Sequence, residues 1–147
     1  MKRLPWKYLA GFIDGEGCID VRIDKQQYVS PRLRITQAVV GREIIESCVN
    51  SYGGNLKEEP SNNPNWSDKV TWYLCGYRLV CPVLRNIVNH LILKKEQARL
   101  LLWMETGIKG LHVSKELRDA VREELTLMKA DAHRLSENAQ ARLLGML

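Results

Sequence analysis

Apolar and polar residues alternate strictly over three stretches of the chain. Ile19, Val21 and Ile23 interleave with Asp20, Arg22 and Asp24. Beyond a turn, Leu33 and Ile35 interleave with Arg32, Arg34 and Thr36. Period-two alternation predicts strands with one face packed and the other wet, so the polar faces of both strands form one charged surface. From Lys69 to Cys75 the pattern recurs, with Val70, Trp72 and Leu74 inward and Lys69, Thr71 and Tyr73 outward; Asn55 to Glu58 is a candidate short strand. Pro60 to Asp68 reads as a turn-rich loop, and its Trp66 fits no period.

Elsewhere the spacing is helical. Ile44, Ile45, Cys48, Val49 and Tyr52 predict an amphipathic helix over Arg42 to Tyr52, stopped by Gly53-Gly54. Leu79, Val80, Val83, Leu84, Ile87, Val88 and Leu91 form a strong stripe, in which Pro82 is expected only near the first turn. Leu93 to Thr106 continues as helix up to Gly107. Leu117, Val121, Leu125 and Met128 mark one face of a longer helix, and Ser136 to Leu144 adds another. With a short helix at the front, the order is α+β: αββαββα, a four-stranded antiparallel sheet covered on one side, then extra C-terminal helices.

That first helix carries the chemistry. Pro5 suits its first turn, where a missing N–H has no partner anyway, and Gly15 and Gly17 suit a stop just after Asp14. Ala10, Gly11 and Gly15 carry almost no side chain, and the Gly11 to Gly15 spacing puts both glycines on one face, open to close approach by a second helix. Asp14 and Glu16 lie where the helix dipole is already negative, a placement that costs roughly 0.3–1 kcal/mol per carboxylate and that a bound cation reverses. Two such helices meeting would bring four carboxylates to one point, suited to a divalent metal. A solvated turn after a buried helix accounts for these residues equally well.

The string Leu9-Ala10-Gly11-Phe12-Ile13-Asp14-Gly15-Glu16-Gly17 resembles the signature of the LAGLIDADG homing endonucleases. Phe12 stands for the second leucine, Gly15 for the second alanine and Glu16, one methylene longer, for the last aspartate. The resemblance covers about residues 5 to 106 and implies the αββαββα fold. It also implies a homodimer whose signature helices pack along the molecular axis, with Leu9, Ala10, Gly11, Ile13 and Asp14 expected at the interface. Such a dimer reads a long near-palindromic DNA site of roughly two duplex turns. By resemblance, Glu16 is the metal ligand, assisted by the Gly15 carbonyl. Mg²⁺ is the implied ion, with Mn²⁺ substituting and Ca²⁺ supporting binding without cleavage. Gln37 matches a residue that positions water, and Lys94 one that stabilises charge at the scissile phosphate. The product implied is a double-strand break with short 3′ overhangs.

The uncovered sheet face suits DNA, because a two-stranded ribbon fits the major groove. Asp20, Arg22, Asp24, Lys25, Arg32, Arg34, Thr36, Lys57, Lys69, Thr71 and Tyr73 are the expected contacts, although without the signature the same cations read as a surface that keeps the sheet soluble. The 147 residues are most simply one domain, with a core over about 5–106 and a helical extension over 107–147. The formal net charge of +5 favours a polyanionic partner only weakly, but residues 60 to 100 hold six basic and two acidic side chains whereas 101 to 147 hold seven of each. Cys18, Cys48, Cys75 and Cys81 show no metal spacing and predict free thiols in a reducing, intracellular compartment, whether a bacterial or phage cytoplasm or an organelle. The apolar run from Leu9 to Ile13 is too short for a secretory or membrane segment. Two other readings stay open: an intron RNA maturase or non-cleaving DNA-binding protein of the same fold, and a protein-binding module using the C-terminal helix.

Overall fold

A computed structural model describes residues 3–147. The chain runs α1 (Trp6–Glu16), β1 (Gly17–Ile23), β2 (Val29–Ala38), α2 (Arg42–Tyr52), β3 (Asn55–Glu59), β4 (Lys69–Cys75), α3 (Tyr77–Ile87), α4 (Lys95–Gly107), α5 (Lys115–Ala130) and α6 (Ser136–Leu144). The four strands form one antiparallel sheet in the order β1-β2-β4-β3. Ile19, Leu33, Ile35, Trp72 and Leu74 are fully buried on its covered face, where Leu9, Ile13, Ile45, Leu84 and Ile87 from the first three helices join them in one apolar cluster. The alternation in the sequence therefore sets which face is wet.

Trp72 locks α2 onto the sheet: its indole Nε1 donates to the Gly53 carbonyl at 2.8 Å, and its ring lies 6.0 Å from that of Tyr52. The turn between α2 and β3 requires glycine, because Gly53 and Gly54 have φ of 81° and 84° and a Cβ on Gly54 would strike the Tyr73 carbonyl at 2.5 Å.

Four expectations are corrected. α1 does not stop after Asp14 but continues to Glu16; Gly17 ends it in an extended conformation, its N–H returning to the Ile13 carbonyl. Glycine is needed there for space, since a Cβ would lie 2.8 Å from the Ile13 Cα. Pro82 lies in the second turn of α3, not the first, because Gly76 at φ 93° starts the helix early and the Val80 N–H already bonds the Gly76 carbonyl. α4 begins at Lys95, not Leu93, because the preceding amides bond to another element. Asp24 lies beyond β1 and shapes the hairpin turn, its carboxylate accepting from the Tyr28 N–H at 2.9 Å.

The C-terminal extension packs against the β1 edge through α5 and against α4 through α6, and its buried residues belong to the same apolar cluster as the sheet. Ser114 caps α5 through the Leu117 N–H. Glu124, wholly buried, is held by Arg134 at 2.8 Å and Arg142 at 3.0 Å, and Glu96 accepts from the Ser136 N–H at 2.9 Å. No helix among the described residues is long and apolar enough to cross a membrane. All four cysteines are free; burial pushes the Cys48 thiol up to about 12.

A candidate metal centre and nucleic-acid interface

The two carboxylates at the end of α1 have different surroundings. The Asp14 carboxylate accepts three backbone N–H groups from the turn before α4: Ile92 at 2.6 Å, Leu93 at 3.1 Å and Lys94 at 3.0 Å. Its negative charge therefore meets the positive end of α4 while sitting at the negative end of its own helix. The Lys94 ammonium returns the contact, donating to the Asp14 carbonyl at 2.6 Å. Glu16 is exposed, and no group among the described residues pairs with it. The expected convergence of four carboxylates is thus corrected to two, since Asp14 is engaged within its own chain.

A cleft of about 890 Å³ opens beside Glu16, lined also by Gln37, Thr36, Lys69 and Trp66. Gln37 shares its pleat side with Leu33 and Ile35, as expected, and its Nε2 donates to the Thr36 carbonyl at 3.0 Å. Lys94 lies at the same end of α1, whereas its neighbour Lys95 lines a separate groove with Arg99, Ser136 and Gln140 beside α6. Glu16, Gln37 and Lys94 therefore gather around the C-terminal end of α1. Among the described residues no three metal-ligating side chains cluster, so one chain brings one free carboxylate and the neighbouring Gly15 carbonyl. A hard, oxygen-preferring cation shared with a second copy and with phosphate oxygens fits that donor set.

The polar sheet face holds a hollow of about 560 Å³ lined by Arg32, Arg34, Lys57, Lys69 and Tyr73, with Arg22 and Lys25 exposed toward the hairpin tip. Five of the expected contacts bond to one another within the sheet. Thr71 is largely buried, its hydroxyl 2.7 Å from that of Thr36. Asp20 accepts from Arg32 twice at 2.9 Å and from Arg34 at 2.8 Å. Burial pushes the Asp20 carboxyl up, but the bond from Arg32 and the charges of Arg32, Arg34 and Lys129 outweigh this and hold it below its ordinary 3.8.

The outer face of α1 also differs from expectation. Leu9, Ala10 and Ile13, expected at a dimer interface, are fully buried in their own chain. The surface presented outward is Tyr8, Gly11, Gly15 and part of Phe12, with the Tyr8 and Phe12 rings 6.1 Å apart. The sequence held the signal, since Trp6, Leu9, Ala10 and Ile13 follow the i, i+3, i+4, i+7 spacing of a core stripe. Ile92, 81% exposed, and Leu93 lie beside this surface because Asp14 binds their amides. They and Trp66, 70% exposed at the cleft, were not singled out as functional from the sequence.

Residues 9–105 match the family model described as LAGLIDADG endonuclease. The chain belongs to the LAGLIDADG endonuclease family. Solved structures agree on the fold. The homing endonuclease I-CvuI is 21% identical, with 97% of this chain and 95% of that chain covered and a TM-score of 0.68. I-TnaI is 20% identical over 99% of this chain and 100% of its own, at a TM-score of 0.54. The LAGLIDADG meganuclease I-AabMI is 19% identical over 98% of this chain but 50% of its own, at a TM-score of 0.59. No curated protein sequence matches the chain. Within the LAGLIDADG frame, the match begins at Leu9 and takes in Glu16, Gln37 and Lys94, and ends in α4 before the C-terminal extension.

Proposed function

We propose that this chain is a homodimeric, divalent-metal-dependent endonuclease that cuts both strands of a long, near-palindromic DNA site. The observation that carries the reading is Glu16: an exposed, unpaired carboxylate at the negative end of a helix whose outward face is Gly11 and Gly15. A two-fold copy packed on that face supplies the second Glu16. The solved I-CvuI structures hold DNA, the I-CreI target left uncleaved in the presence of Mg and its own target in the presence of Ca, and the I-AabMI meganuclease, bound to uncleaved DNA, is about twice as long as this chain. Both facts support a dimer of this chain on a duplex.

The Glu16 carboxylates and Gly15 carbonyls would hold the metal. When bound, a Mg²⁺-type ion would lower the pKa of an attacking water and stabilise charge on the leaving oxygen; Mn²⁺ would supply the same chemistry and Ca²⁺ would support binding alone. The chain's own groups do the rest. The Gln37 amide, in the cleft with Glu16, orients water through a donor and an acceptor. The Lys94 ammonium places positive charge beside the reacting phosphate, and Asp14 fixes Lys94 by binding its backbone N–H. Arg22, Lys25, Lys57 and Lys69 contact phosphates, which set position without reading sequence.

The test is selection from a library of randomised near-palindromes bound in Ca²⁺, transferred to Mg²⁺ and sequenced as bound and cut pools. One enriched site cut with short 3′ overhangs is expected, and Glu16→Gln is expected to bind it without cutting. An enriched site that stays intact would instead assign a binding or RNA-maturase role.

A further inference from the structure

On the polar face of the sheet, one carboxylate organises two arginines. Asp20 in β1 lies directly opposite Arg32 in β2, and Arg34 stands one pleat further along, opposite Cys18. The Asp20 Oδ1 accepts from Arg32 Nε, while Oδ2 accepts from Arg32 Nη2 and from Arg34 Nη2, all between 2.8 and 2.9 Å. The Asp20 side chain is only 16% exposed, whereas those of Arg32 and Arg34 are 29% and 38% exposed. Both carboxylate oxygens are thus occupied and covered by guanidinium groups that themselves reach outward.

The geometry limits what each group can read. A carboxylate that recognises a base must accept from the cytosine amino group, and Asp20 has its oxygens turned into the clamp. Arg32 gives its side edge, Nε and Nη2, to Asp20, which leaves the end edge formed by Nη1 and the second Nη2 hydrogen. Two parallel N–H groups on that edge match O6 and N7 of guanine. The Arg34 Nε is buried without a partner among the described residues, so its accessible donors are also at the tip. Lys129 from α5 closes the edge of the cluster, its ammonium 3.6 Å from the Cys18 sulfur.

We propose that Asp20 is a positioning residue for base recognition: it fixes the Arg32 guanidinium with its end fork outward so that Arg32 selects guanine at one base pair, with Arg34 held beside it. The proposal rests on the DNA-binding reading above. Holding a long side chain in one orientation before binding removes part of the ordering cost and penalises bases that do not match the fixed fork.

Selection of bound DNA in Ca²⁺ tests this with four proteins: the wild type, Asp20→Asn, Arg32→Ala and the double variant. Arg32→Ala is expected to lose a guanine preference at one base pair. Asp20→Asn is expected to weaken that same preference about tenfold, to bind unrelated DNA more tightly because a negative charge is gone, and to cause no further loss of preference in the Arg32→Ala background. Asp20→Glu, which keeps the charge but moves the carboxylate by one methylene, is expected to weaken the same preference without tightening binding to unrelated DNA, and gives the answer if Asp20→Asn does not fold. A change at a base pair that Arg32→Ala leaves intact, above all a lost cytosine preference, would overturn the proposal, as would an unchanged profile in Asp20→Asn. Because binding is read in Ca²⁺, failure of cleavage in Mg²⁺ is a separate result; a wild type that enriches no sequence overturns both readings together.

Discussion

Replacing Gly11 with alanine separates the isolated chain from the dimer, because the two make predictions of opposite sign. In the single chain a Cβ at Gly11 meets nothing within 4 Å, and the position is exposed in the middle of α1. Alanine is preferred to glycine in a helix interior by about 1 kcal/mol. For a chain of this size that gain raises the melting temperature by about 2–4 °C. If two α1 helices pack through their glycines, each added methyl group must instead enter a filled contact, at an overpacking cost of about 1–3 kcal/mol. The helix gain is present in both dimer and monomer and cancels in the dissociation constant, which isolates the packing cost. With one such methyl from each chain, Gly11→Ala should therefore weaken dimerisation by about 30-fold to 10⁴-fold while stabilising the monomer. Sedimentation equilibrium over a concentration series reads the first effect, and thermal unfolding at low concentration reads the second. An unchanged dissociation constant would refute packing through Gly11, and a wild type that stays monomeric at micromolar concentration would refute the dimer itself.

Three further perturbations probe the interior of the site and its support. Asp14→Asn removes the charge and one acceptor from the three amides before α4, and should cost about 1–2 kcal/mol by urea unfolding while lowering cleavage; an unaltered urea midpoint would count against the cap. Lys94→Met should lower the cleavage rate about 10²- to 10³-fold with Ca²⁺-supported binding retained, whereas Lys95→Met, facing the α6 groove, should leave it unchanged; the reverse pattern would move the role to Lys95. Burial pushes the Glu124 carboxyl up, but the bonds from Arg134 and Arg142 prevail and hold it below its ordinary 4.5. Its contribution to stability is therefore complete above that value and is lost as pH falls through the lower folded-state value. Glu124→Gln should cost about 1–3 kcal/mol at neutral pH and flatten the fall below 4.5; an equally steep acid loss in the variant would contradict this.

How much of this could be read from the chain depended on how local each cause is. The β4 strand carries its own alternation, and α2 ends at a glycine pair with obligatory positive φ, so their observed bounds, Lys69–Cys75 and Arg42–Tyr52, match those expected. The start of α4 was misplaced because its cause is remote: Asp14, about eighty positions away in sequence, takes the amides that periodicity assigned to the helix. Pro82 was misjudged because a local rule located the helix start from the apolar stripe, whereas Gly76 set it a turn earlier. Pleat parity assigns residues to the polar face of the sheet, but parity gives a face and not a partner. It could not tell that Asp20 would be enclosed by Arg32 and Arg34, or that Thr71 would bond to Thr36.

In the proposed function one helix serves both assembly and chemistry. α1 ends in two carboxylates at the pole where its own dipole disfavours them. The fold relieves one of them internally, by turning the positive end of α4 and the Lys94 ammonium onto Asp14. Glu16 receives no such relief from the described residues, and it stands next to Gly15, where a Cβ would meet nothing within 4 Å. Burying the outward face of α1 against a second copy would bring two unrelieved carboxylates together, which is unfavourable unless a cation lies between them. Dimerisation and metal binding are therefore linked in sign: divalent metal should tighten the dimer of the wild type. Glu16→Gln, which removes the repulsion, should dimerise well without metal and gain little when it is added, and sedimentation with and without Mg²⁺ measures that difference directly.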